Sequence, residues 1–309
     1  MRYSLLFLFF LTSIAWQSSY ASSYRYERGG QVLEIGLEGD FTPHGETDVK
    51  EWIESTADAL ATVYGRWPRD YWRVQVSSTS ARGSDPVPWA QVNRGDPDVV
   101  TFYIDGSASK DSLVANWTAY HEFGHLLIPY RGWGDMWFSE GLASYYQNIL
   151  QARHGVFDEQ QMWQRLYDGF VRGRNNRHPE LSLHELSERR YELGGIMRMY
   201  WSGAWYFLAA DVELRKRGGD TSSLDAALQG LNSCCADKAL SARQIAGRLD
   251  RLSGQAVFNR LFEQVSSSKA LPNFESLFKE LGIEVRGNIV HLDELHPNAA
   301  LRRSIAGQQ

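Results

Sequence analysis

His121-Glu122-Phe123-Gly124-His125, with Trp137-Phe138-Ser139-Glu140-Gly141-Leu142-Ala143 downstream, is the stretch on which the reading of this chain turns. On a helix, positions i and i+4 share one face, so both imidazoles can bind one cation while Glu122 points toward the water that the cation polarises. A third ligand from elsewhere would leave the fourth position open for water or substrate, which is the requirement of a hydrolytic zinc site. Chance explains the motif poorly. With only 8 histidines in the chain, a shuffled sequence would contain His-Glu-x-x-His roughly once in a hundred tries.

Around the motif the pattern predicts a helix from Ser107 or Ser109, either able to cap it, through Leu113, Trp117, Tyr120, His121, Gly124 and Leu127 to a stop at Pro129. Residues 129–135, with Gly132 and Gly134, read as a compact reversal, and 137–152 as a second helix carrying Glu140. Upstream, 32–37, 71–77 and 99–104 alternate or run apolar as strands, and 46–67 shows helical spacing closed by Pro68. Residues 99–104 are a candidate for the edge of a cleft, where an extended peptide could pair with the main chain, although their apolar run suits an interior strand equally. Downstream the chain reads as helical, with a helix over 200–216 ended by Gly218-Gly219, and others over 239–252, 255–265 and 274–281. Asn175 to Pro179 reads as a loop.

Met1-Arg2 followed by the apolar run 5–11, with Ser19 and Ala21 as small residues, predicts a signal peptide over residues 1–21 and an exported protein, periplasmic or secreted. The run is too short for a bilayer span, so no stable membrane insertion is expected after cleavage. The remaining length suits one large domain or two packed parts: 22–128, an α/β subdomain ending in the metal helix, and 129–309, mainly helical. A net charge of −5 without a Lys/Arg block argues against nucleic acid as partner. The two cysteines, Cys234 and Cys235, are adjacent and lie in what reads as a loop. They cannot staple distant segments, and they lack neighbours to form a metal site.

The metal motif together with Trp137 to Tyr146 resembles the gluzincin metallopeptidases, most of all the glycyl aminopeptidase family and its aminopeptidase N-like relatives. Tyr200-Trp201-Ser202-Gly203-Ala204 is similar to the helix start that carries the catalytic tyrosine of those families, and 215–224, 253–258 and 281–285 also fit their pattern. The resemblance implies an α+β, thermolysin-like catalytic domain, with a small mixed sheet and helices plus a mainly helical C-terminal subdomain. It implies one Zn2+ per chain bound by His121, His125 and Glu140, Glu122 as general base, Tyr200 as donor to the developing oxyanion, and a peptide or protein substrate. Tyr191 or Tyr206 could serve in place of Tyr200.

Two departures from the family pattern stand out. The interval from His125 to Glu140 is short, with Asp135 or Glu159 as the fallback ligand if Glu140 cannot reach. The acidic segment that receives a free α-amine in the aminopeptidases is replaced by Asp105-Gly106-Ser107-Ala108-Ser109, so only Asp105 or Asp111 could take that role. This favours endo- or oligopeptidase over aminopeptidase action. The alternative is a non-catalytic peptide- or envelope-binding protein that keeps the fold. Trp117, Trp133, Trp137 and Trp201 are candidates for lining side-chain pockets, His178 and His184 read as surface residues, and the sequon Asn116-Trp117-Thr118 falls inside the expected metal helix.

Overall fold

Three strands supply the inner face of the sheet because their alternate residues are apolar. In the computed structural model, these are β2 (Gln31–Glu38), β3 (Tyr71–Thr79) and β5 (Val99–Asp105), with β1 (Ser22–Arg28) and β4 (Trp89–Asn93) at the two edges. The strand order is β1-β2-β3-β5-β4, with a parallel centre and antiparallel pairs at both ends. Parallel register places Leu33, Ile35 and Leu37 beside Trp72, Val74 and Val76; Val74 and Val76 in turn sit beside the buried Val100 and Phe102, and Ile104 continues that row beside Ser78. The structure describes all residues except 1–21, 43, 80–83, 133, 176–177, 219–221 and 308–309. The expected signal peptide, Trp133 and Gly219 therefore lie outside the described residues.

The apolar sheet face packs on α1 (Gly45–Ala61) and α3 (Thr118–His125) through aromatic contacts, Trp52 on Phe102 and Phe123 on both Trp72 and Phe102, and the short α2 (Lys110–Ala115) packs on α1. The helical part begins with the long α4 (Met136–Arg153), followed by α5 (Glu159–Arg174), α6 (Leu183–Glu188), α7 (Arg190–Leu193) and α8 (Ile196–Gly218). Then come α9 (Leu224–Cys235), α10 (Ala242–Ser253), α11 (Phe258–Ser266), α12 (Phe274–Glu280), the hairpin β6 (Ile283–Arg286) and β7 (Ile289–Leu292), and α13 (Ala299–Ile305). Among the described residues no helix is long and apolar enough to cross a membrane.

Several sequence expectations need correction. The helix expected to run unbroken to Pro129 is two helices, because Asn116 is extended (ψ 137°) and its side-chain oxygen accepts from the Thr118 N–H, restarting the chain as α3. The sequon asparagine thus sits in a break rather than inside a helix. Residues 99–104 are not the cleft edge: β5 is interior, and the edge is β4, which the Pro/Gly-bearing stretch concealed. The helix expected to start at Tyr200 starts at Ile196, so Tyr200 lies in its second turn. Cys234 and Cys235 end helix α9 rather than occupying a loop, and they are joined as a vicinal disulfide. The C-terminal part also contains the hairpin β6–β7, which helical periodicity did not anticipate.

Candidate metal centre

α3 presents His121 and His125 one turn apart, and Gly124 between them lets α3 close on Ala143 of α4. The end of α3 is fixed from the sheet side. Arg94, just past β4, donates to the carbonyls of His125 and Ile128 and pairs with the buried Asp98, which also accepts from Arg69 and from the Gly95 N–H. The connection to α4 is short but sufficient: Tyr64 bonds the Leu127 carbonyl and Tyr130 the Gly134 carbonyl, and Asp135 takes a left-handed conformation (φ 50°) to start α4. Glu140 then faces the two imidazoles. α8 crosses α4 where Gly203 meets Gly141, which brings Tyr200 to the same place.

His121, His125 and Glu140 each offer a ligand atom within 4.8 Å of the others. Nε2 of His121 is 3.2 Å and Nε2 of His125 3.7 Å from Oε2 of Glu140. Ligands roughly 2.1 Å from one tetrahedral zinc ion stand about 3.4 Å apart, so the spacing fits. The outer nitrogens are engaged, His121 Nδ1 with Gln147 Oε1 at 2.9 Å and His125 Nδ1 with Ser139 Oγ at 3.0 Å. An N–H donated to the Gln147 carbonyl oxygen places the proton on Nδ1 and leaves Nε2 free as a ligand. Tyr200 stacks on His121 at 5.7 Å between centroids, and Trp117 meets the same ring edge-on. The fallback ligands lie elsewhere: Asp135 accepts from His184 and Trp137, and Glu159 pairs with Arg302.

Electrostatics match the donor roles of His125 and Glu140. Burial pulls the His125 imidazole down to about 3, so it stays neutral. Burial opposes ionisation of Glu140, but His125 and His121 override it and hold the carboxyl down at about 2. For His121 the downward pull of burial is outweighed by Glu140, giving a net rise that favours the imidazolium, so a bound cation would displace a proton there. Glu122 is pushed up to about 7 by burial, with Glu140 adding and His121 opposing. Burial and the Glu140 charge also raise the Tyr200 phenol. A neutral imidazole and an ionised carboxylate are the states that bind a divalent cation.

The cluster opens on a cavity of about 730 Å³ lined by β4 residues Ala90 to Asn93 on one side and by Glu122, Met136, Arg190, Tyr191 and Tyr200 on the other. Its described lining contains only two carboxylates, Glu122 and Glu140. Asp105 accepts from Ser107, and Asp111 sits in the first turn of α2; neither lines the cavity. Tyr206 is core, bonded to the Phe258 carbonyl, and Tyr191, 84% exposed, stands at the rim. Trp137 is core, whereas Trp117 and Trp201 line a neighbouring cavity. His184 is exposed as expected, and the partly buried His178 bonds the Leu193 carbonyl. The sequence reading missed Gln147 and Ser139, although both lie on the helix that carries Glu140, Gln147 two turns on from it.

Comparison with known proteins agrees with this architecture. Residues 133–202 match the profile of the M61 glycyl aminopeptidase family. No curated protein matches the sequence. Among solved structures, an aminopeptidase N family protein from Idiomarina loihiensis superposes with a TM-score of 0.63 at 15% identity, covering 86% of this chain and 50% of that one. The M1 zinc metallopeptidase from Deinococcus radiodurans gives 0.53 at 16% identity, with 81% and 52% covered. The chain therefore spans about half the length of these structures. The resemblance to the gluzincin peptidases holds, and the mixed α+β fold is theirs.

Proposed function

We propose that this chain is an exported zinc-dependent peptidase that hydrolyses peptide bonds within chains rather than at a free amino terminus. The observation that carries the reading is the convergence of His121, His125 and Glu140 beside Glu122 at the floor of one cavity. A bound zinc ion supplies Lewis acidity and an activated water there. Glu122 accepts the proton of the attacking water and passes it to the leaving amine, a task suited to a carboxyl raised toward neutrality. The Tyr200 hydroxyl donates to the oxyanion of the tetrahedral intermediate, and the free edge of β4 pairs with the substrate main chain. The absence of a third carboxylate in the described lining supports internal cleavage, because an α-ammonium group would have no fixed counter-charge. The leader-like segment 1–21 supports export.

The test is Glu122→Gln. Purified protein should contain one zinc per chain, cleave an internally quenched peptide mixture and stop when chelated. The variant should keep its zinc and lose at least about 10³-fold in turnover. A zinc-loaded wild type that cleaves nothing would make the chain a binding module, and equal turnover in the variant would remove Glu122 from the mechanism.

A further inference from the structure

Behind Tyr200 lies a second cavity, of about 380 Å³, formed where α4, α5 and α8 meet the start of α3. Tyr200 lines both cavities, and Gln147, which holds His121, lines the second, so the two chambers share one wall at the metal cluster. The volume lies at the small end of the range for ligand pockets and leaves ample room for a substrate side chain. Its apolar walls are Trp117, Met197 and Trp201, and its charged groups are Arg165, Asp168 and Arg172, all on one face of α5.

The charge is unbalanced. Arg172 lies over the Trp201 ring at 5.1 Å and Arg165 over Phe157 at 4.9 Å, and among the described residues neither has a carboxylate partner. Asp168 instead accepts from the Gln164 side chain at 2.9 Å. Ser144, 1% exposed, lines the same chamber with a buried hydroxyl that has no hydrogen-bond partner. Two guanidiniums at the exposed mouth, stacked on aromatic faces with no protein partner for their N–H forks, and an unsatisfied buried hydroxyl deeper in form a receptor for a carboxylate. The metal cavity adds Arg190, whose Nε is buried without a partner. In a protein of net charge −5 this positive lining is local rather than general.

We propose that this chamber is the specificity pocket of the peptidase and takes a substrate carboxylate next to the scissile bond, held by Arg172 and Arg165. The inference rests on the peptidase reading above for its chemistry, but the pocket can be tested by binding alone. The carboxylate is that of an Asp or Glu side chain, and a peptide C-terminus is the other source that the test separates from it.

The experiment uses zinc-loaded Glu122→Gln protein and labelled hexapeptides carrying Glu, Gln or Lys on either side of the central bond, each with a free or amidated C-terminus, read by fluorescence anisotropy. The Glu peptide should bind at least about fivefold more tightly than the Gln peptide, a preference that salt weakens. Arg172→Gln and Arg165→Gln should each move that ratio toward one, and Arg165→Glu with Arg172→Glu should shift it toward Lys. A preference that follows the free terminus rather than the side chain identifies the terminal carboxylate as the occupant. Equal binding of Glu and Gln peptides, whether the C-terminus is free or amidated, unchanged in the arginine variants, overturns the proposal. A preference in binding beside a wild type that hydrolyses none of these peptides leaves the pocket standing and removes the peptidase reading.

Discussion

At the crossing of α3 with α4 a methyl group on Gly124 would lie 3.2 Å from the Ala143 Cα. At the crossing of α4 with α8 one on Gly203 would lie 2.1 Å from the Trp137 carbonyl oxygen, and one on Gly141 2.2 Å from the Gly203 Cα. Both crossings use a missing side chain to bring backbone against backbone, yet the second is closer by about 1 Å, too tight for a small shift to relieve. The first sets the imidazoles against Glu140, and the second sets Glu140 against Tyr200. The half of the site made by α4 and α8 is thus fixed by sterics. The half made by α3 is fixed by a polar clamp, Arg94 on the helix-end carbonyls with Asp98 behind it.

The sharpest way to break this contrast is Gly203→Ala. No rotamer relieves the clash, so the substitution should cost more than about 3 kcal/mol in denaturant unfolding and should abolish zinc retention. An alanine variant that unfolds like the wild type and keeps its metal would show that the crossing has slack. Next is Asp98→Asn, which leaves the buried Arg94 without its counter-charge and should cost about 2 kcal/mol at pH 7. Burial alone would raise the Asp98 carboxyl, but Arg94 and Arg69 hold it below its ordinary value. Its stabilising contribution is therefore complete above about pH 4 and lost as the pH falls through the folded value. The difference between wild type and Asp98→Asn should shrink in urea titrations taken from pH 7 to pH 3. Smallest is Gly124→Ala: the Ala143 contact needs a shift of a few tenths of an ångström, and the gain in helix propensity of about 1 kcal/mol offsets it, so stability should change by less than about 1 kcal/mol. A large loss there would make the two crossings equally rigid.

The parts of the molecule legible in the sequence are those whose signal is local. His121, Glu122 and His125 fall on one face because a helix repeats within four residues, and β2, β3 and β5 announce themselves by their apolar residues. Edge strand β4 has no such pattern of its own. Its residues alternate between exposed and half-buried, and it exists because it pairs with β5. The break at Asn116 was hidden because the apolar spacing continues through it, while the decision is made by one side-chain oxygen. Arg94 was missed because its importance lies in reaching carbonyls more than thirty positions away, and Asp98 because it acts by holding Arg94. Glu140 could be singled out only by resemblance, since nothing local tells a ligand carboxylate on a helix from a solvated one.

The disulfide between Cys234 and Cys235 joins neighbours at the end of α9. A ring closed within two consecutive residues encloses no loop, so it removes almost no freedom from the unfolded chain, and whatever holds this architecture together is non-covalent. The covalent map of the molecule is that of an open string, oxidised or reduced.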